Sequence, residues 1–224
     1  NSQESERLLA SDPSGYYEAI RRSTFSFHGV AAATTLRGEQ WEFMDLGRHL
    51  ERADKTTRFL DITTFLEGGD DDWVINADEH WMGILRSCGG VGPFRAKYRG
   101  RFSPQNITDF LVFSSDFPRS VKFCMNRVDA SLHAISGSPR GTFVNDAEKE
   151  SGKMLSALSY GSCAEVMEGG LHTYLDGLQV QLNTIADAIF KAYILLPEEI
   201  NERPSIPAAA ISSVVKWQME QQQQ

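Results

Sequence analysis

The densest run of side chains able to do chemistry is Leu46-Gly47-Arg48-His49-Leu50-Glu51-Arg52-Ala53-Asp54-Lys55. On a helix, Arg48, Glu51, Arg52 and Lys55 fall on adjoining faces. Glu51 has Arg48 three positions before it and Lys55 four after, and both spacings allow ion pairs. Three readings stay open. As a solvated ladder, the pairs contribute little individually. As an interhelical network, they fix the register of a bundle. As a site, a buried Glu51 held by two arginines is a preorganised anion or amide group. Gly47 bears on the choice, because a glycine inside a helix costs about 1 kcal/mol relative to alanine. It permits close helix packing, or it lets a ligand approach Arg48 and Glu51.

A second basic group, Arg95, Lys97, Arg99 and Arg101, is interleaved with Phe94, Tyr98 and Phe102. Guanidinium groups bind carboxylate or phosphate bidentately, so this segment is a candidate clamp. The alternative is a surface loop whose aromatics anchor it to the core. Arg119, after Pro118, either joins an anion pocket or pairs with Asp116, and the pairing is the simpler expectation.

Other chemistries lack their patterns. The five histidines include no HExxH and no Glu-x-x-His pair, so no metal site is expected. Asp45–His49, Asp129–His133 and Glu168–His172 are each spaced for a hydrogen bond on one helix face. Gly89-Gly90-Val91-Gly92 lacks the Lys-Ser/Thr of a phosphate loop and follows a helix, so it reads as a helix end and no cofactor is expected. No G-x-S-x-G elbow marks a nucleophile. Cys88, Cys124 and Cys163 are widely spaced and odd in number, which suits buried, inert thiols in a reducing compartment.

The elements that must position these groups are helices, because apolar residues recur at three- and four-residue steps and nothing alternates for more than about five residues. Asp12 and Pro13 open a helix whose seam is Tyr17, Ile20, Thr24, Phe27, Ala31 and Thr34. The next runs from about 39 to 67 on Phe43, Leu46, Leu50, Ala53, Thr57 and Leu60, and stops at Gly68 and Gly69. A third covers about 72 to 88, after the acidic run Asp70 to Asp72. Residues 91–102 read as irregular or a short helix, and 105–113 as a helix capped by Ser103 and Pro104. Asp116 and Pro118 signal the start of another, with the seam Val121, Met125, Val128, Leu132 and Ile135, ended by Gly137. Two more are expected at about 145–168 and 171–196, the last with the seam Leu171, Leu175, Leu178, Leu182, Ile185 and Ile189. The fold class is therefore all-α, a bundle of about seven or eight mostly antiparallel helices. Residues 1–200 form the domain, and 201–224 a Pro- and Gln-containing tail.

Composition is that of a globular protein: 41% of the 224 residues are hydrophobic. A net charge of −8 argues against general nucleic-acid binding. No run reaches the roughly 18 to 20 apolar residues of a membrane span, and no secretory signal is visible, so a cytoplasmic setting is expected.

The stretch Gly-Arg-x-Leu-Glu-Arg-Ala-Asp-x-Thr-x-Arg-x-Leu-Asp, Gly47 to Asp61 but with His49, Lys55, Thr57 and Phe59 at its variable positions, resembles the signature of the bacterial alpha-E domain. Asp109-Phe110-Leu111, the run from Asp116 to Cys124 and the glutamine-rich end are similar to the same family. Members usually carry an earlier Gly-Arg-x-Leu-Glu-Arg stretch, which nothing before Gly47 matches; the chain thus resembles the C-terminal two-thirds of the domain. The resemblance implies an all-helical accessory partner of a circularly permuted ATP-grasp amide ligase or a transglutaminase-like peptidase, acting in peptide synthesis or processing. The expected binding motif is Gly47, Arg48, Glu51, Arg52 and Lys55, with Arg95, Arg99, Arg101 and Arg119 as further candidates. The alternative is an enzyme or small anionic-ligand binder using Arg48, Glu51 and Arg52.

Overall fold

The structure, a computed structural model, describes residues 2–66, 77–99 and 101–195. The 201–224 tail, the Gly68–Gly69 stop and the Asp70–Asp72 run lie outside the described residues. Among these, the chain is all helical, with ten α-helices and one π-helical turn. The elements are α1 (Ser2–Ser11), α2 (Pro13–Thr34), α3 (Glu39–Leu66), α4 (Ala77–Ser87), α5 (Val91–Tyr98) and α6 (Pro104–Thr108), which runs into the π-helical turn Asp109–Phe113. They continue as α7 (Val121–Ser136), α8 (Asp146–Tyr160), α9 (Cys163–Gly169) and α10 (Leu171–Tyr193).

Three of these helices follow their apolar seams closely. In α3, Leu46, Ala53, Thr57 and Leu60 are buried. In α7 it is Val121, Met125, Val128 and Leu132, and in α10 Leu175, Leu178, Leu182, Ile185 and Ile189. Each fully buried aliphatic side chain contributes roughly 1.5–3 kcal/mol, so these seams dominate the drive to fold. Side chains crossing from α3 to α7 give their relative direction. Glu42 meets Ser131, Asp45 meets Arg127, and Thr56 meets the backbone of residue 119, so the two helices run antiparallel. Helix α8 adds Ala147, Met154 and Leu158 to the same core.

A second, aromatic part of the core lies under α5. Phe94 stacks on Tyr98 at 4.8 Å, and Phe110 on Phe117 at 4.4 Å. Gly90 sits against this cluster: a Cβ there would lie 3.1 Å from Phe110 and 3.2 Å from Phe117, so any side chain would have to push these rings back by a few tenths of an ångström.

Several boundaries differ from the sequence expectation. Helix α1 precedes the Asp12 cap and was not expected. Of the two readings of 91–102, irregular or a short helix, residues 91–98 take the short helix. Helix α7 is capped by Ser120, whose hydroxyl accepts from the Phe123 N–H, and not by Asp116. The expected single helix over 145–168 is two, because Ser162 and Glu165 form a reciprocal capping box that starts α9. The seam of α2 is not a core seam. None of its residues is buried, and Tyr17, Ile20, Phe25, Phe27 and Val30 are exposed. Met44 is exposed as well, whereas Met125 and Met154 are buried.

Candidate functional site

The signature run lies in the middle of α3, where it faces α7. Its anchor is Asp45, only 1% exposed. Arg48 Nη2 donates to Asp45 Oδ1, and Arg127 reaches Oδ2 from α7 with Nε at 3.0 Å and Nη2 at 2.6 Å. Burial pushes the Asp45 carboxyl up. The hydrogen bonds from Arg127 and Arg48, with the charge of His49, outweigh this and leave its pKa below the ordinary Asp range. His49 is buried beside it, with Nδ1 2.8 Å from the Asp45 backbone oxygen. Burial lowers the His49 pKa, and Arg48 and Arg52 add to that, against the opposing pull of Asp45. The Asp45–His49 contact expected from the spacing is therefore made mainly through the backbone.

Glu51 behaves otherwise than the site reading requires. It is exposed, and among the described residues it pairs with neither Arg48 nor Lys55. Lys55 lies 3.5 Å from Asp54, which Arg58 also holds, at 2.9 Å. Gly47 is exposed, and a Cβ there would meet nothing within 4 Å. Close helix packing is thus not what keeps a glycine at this position.

Arg52 is the unusual member. It is partly buried, and no carboxylate pairs with it among the described residues. Burial lowers its pKa first, then the positive charges of Arg48 and Arg119. Arg119, which was expected to pair with Asp116, makes no ion pair with it among the described residues, and its charge bears on Arg52. Asp116 is exposed and meets Ser115. The Arg119 backbone oxygen accepts from Thr56 Oγ1 at 2.8 Å, which ties the start of α7 to α3. Burial, then Arg48, Arg52 and Arg119, also lower the pKa of His28 on α2, so all three guanidinium groups act on one locality. Arg48 adds a buried Nε with no hydrogen-bond partner, and its guanidinium lies 5.7 Å from the Trp41 ring.

The second basic group is not part of this arrangement. Phe94 is buried, and Tyr98 donates its hydroxyl to Asp109, so the aromatics fix α5 to the core. Lys97 donates to Ser114 Oγ at 3.1 Å. Arg95, Arg99 and Arg101 are exposed, and Arg99 has a left-handed backbone (φ 50°) at the helix end. Arg95 borders a cleft of about 300 Å³ with Asp78, Met82 and Phe102.

A polar cluster that the sequence did not reveal closes the loop between α7 and α8. His133 Nδ1 lies 2.7 Å from Ser138 Oγ, and that hydroxyl donates to buried Glu148 Oε2 at 3.0 Å. Asp129 meets His133 Nε2 at 3.6 Å and takes Arg140 Nη2 at 2.9 Å. A Ser–His–Asp set comes together here, but the hydroxyl proton is committed to Glu148, so the arrangement is a loop clamp. Burial raises the Glu148 pKa, and hydrogen bonds from Ser136, the Val144 N–H and Ser138 more than reverse this. The only sequence signal was the Asp129–His133 spacing.

The three thiols are buried and free. Burial pushes Cys88 and Cys163 up to about 11 and Cys124 up to about 12. Among the described residues, no helix is long and apolar enough to cross a membrane.

Fold and site together define an all-α domain with a partly buried arginine cluster beside a glycine-containing helix. The chain belongs to the Alpha-E family, described as a predicted alpha-helical domain with a conserved ER motif, which matches residues 2–194. In this chain the Glu-Arg pair of the signature run is Glu51-Arg52, one residue facing solvent and the other the cluster. The chain is similar to uncharacterized proteins of Mycobacterium bovis and Mycobacterium tuberculosis, 25% identical over 175 residues. The match covers 75% of this chain and 19% of those proteins, so the chain spans about a fifth of the length of the curated relatives it matches. No solved structure matches it.

Proposed function

We propose that this domain is a non-catalytic, accessory helical module whose Arg48–Arg52–Arg119 cluster recognises a carboxylate or phosphate group. The observation that carries the reading is Arg52: a partly desolvated guanidinium that feels the charges of Arg48 and Arg119 and, among the described residues, pairs with no carboxylate. Like charges gathered in a partly dry locality cost stability, and a bound anion removes that cost. Arg48 serves both the structural and the binding reading, since Asp45 holds one of its nitrogens while another has no partner. Arg52 serves only binding.

The partner system we infer is a circularly permuted ATP-grasp amide ligase or a transglutaminase-like protein in the cytoplasm, for peptide synthesis or processing. Its support is the family resemblance, together with relatives about five times the length of the matched stretch. The ligand is then an anionic group of the peptide substrate or of a phosphorylated intermediate.

Calorimetric titration with inorganic diphosphate tests the site. Saturable binding that weakens with salt is expected, with at least a tenfold loss for Arg52→Met and Arg119→Met. Equal binding by wild type and both variants overturns the anion reading. Affinity capture of the full-length protein from its own cells tests the partner. Recovery of an ATP-grasp or transglutaminase-like protein supports it, and recovery of neither overturns it.

A further inference from the structure

The last residue of the signature stretch, Asp61, is one that the arginine cluster does not use. It sits on the face of α3 turned towards α10, largely buried at 9% exposure. Its Oδ1 accepts from Thr64 Oγ1 at 3.1 Å and lies 2.7 Å from His172 Nδ1. One turn further along α10, Asp176 Oδ2 lies 3.7 Å from His172 Nε2. One ring nitrogen and one oxygen from each carboxylate all lie within 4.8 Å of one another.

We propose that Asp61, His172 and Asp176 form a binding site for a divalent transition-metal cation, joining α3 to α10. An imidazole with two carboxylates suits zinc, manganese or iron(II), with donors about 2.0–2.2 Å from the ion. Donors on such an ion stand about 3–3.5 Å apart, so donors already within 4.8 Å of one another close on it by side-chain rotation. The two α10 donors stand on the solvent side of the helix. His172 and Asp176 are one helical turn apart, so their side chains rise on the same face, and both are about half exposed or more. Asp61 is the fixed member, oriented by Thr64 as an outer-shell hydrogen-bond donor orients a metal ligand. Three protein donors leave the remaining positions to water or to a ligand. Two carboxylates and a neutral imidazole carry two negative charges, which a divalent ion neutralises. The ion replaces the Asp61–His172 hydrogen bond as the link between the helices.

The test is calorimetric titration of the full chain, tag-free and chelator-treated, with zinc at pH 7.5, followed by cobalt(II) absorption spectra. One equivalent of zinc is expected to bind. Affinity is expected to fall tenfold or more in His172→Ala and in Asp176→Asn, the latter an exposed position whose loss leaves the fold intact. At zinc a hundredfold above Kd, the wild-type melting temperature is expected to rise by about 5–10 °C. Absence of stoichiometric binding overturns the proposal, as does equal binding by wild type and both variants. Arg52→Met separates this site from the anion site, because it is expected to bind zinc like wild type.

Discussion

Replacing Asp45 with asparagine keeps the shape of the side chain and removes the charge on which Arg48 and Arg127 converge. Asp45 is 1% exposed, while the Arg48 and Arg127 side chains are 24% and 43% exposed. Removing one partner of a fully buried ion pair costs about 3–5 kcal/mol. Solvent reaches both guanidinium groups here, so the lower end applies and the expected loss is about 3 kcal/mol. For a chain of this size that lowers the melting temperature by roughly 6–12 °C. The pH profile adds a second test. The folded-state pKa of Asp45 lies below its unfolded value. Its contribution is therefore fully present above the ordinary Asp range of about 4 and is lost as pH falls through the folded value. Urea unfolding from pH 7 down to pH 3 should show a wild-type advantage that shrinks towards acid. A loss below about 1 kcal/mol at neutral pH, or an advantage that does not change with pH, refutes the assignment of Asp45 as the anchor of the α3–α7 contact.

Two further outcomes follow from the same geometry. Gly47→Ala adds a methyl group that meets nothing, so thermal melts should show stabilisation of about 0.5–1 kcal/mol, and diphosphate titration should show weaker binding if the glycine serves ligand approach. The three thiols, buried and with raised pKa values, should react with a thiol-specific disulfide reagent at pH 8 only at the rate of unfolding, and fast labelling of any of them in the native state contradicts their burial.

What was legible in the sequence was whatever depends on neighbours within a turn or two. The seams of α3, α7 and α10 were, because their apolar positions recur at the helical period and are the positions buried. The same periodicity misled for α2, since the pattern of Tyr17, Ile20 and Phe27 says that a face is apolar and not that anything covers it. The α8–α9 break had a visible signal, Gly161 followed by Ser162 three residues before Glu165. In the site, Arg48, Arg52 and Arg119 could each be named. Their convergence could not, because it depends on which residues of α7 oppose α3. Glu51 and Asp45 exchange roles for the same reason. Local spacing offers Arg48 two acids, and only the partner Arg127, 82 residues away, makes Asp45 the one turned inwards.

The two links that flank the arginine cluster act on it like the pivots of a calliper. Asp45 holds Arg127 about two turns before Arg52, and Thr56 holds the Arg119 backbone one turn after it. The backbone separation of Arg52 and Arg119 is thereby set by the packing of α3 on α7 rather than by their own side chains. On the proposed anion reading, the two backbones are already fixed when a ligand arrives, so only the arginine side chains remain to be ordered on binding.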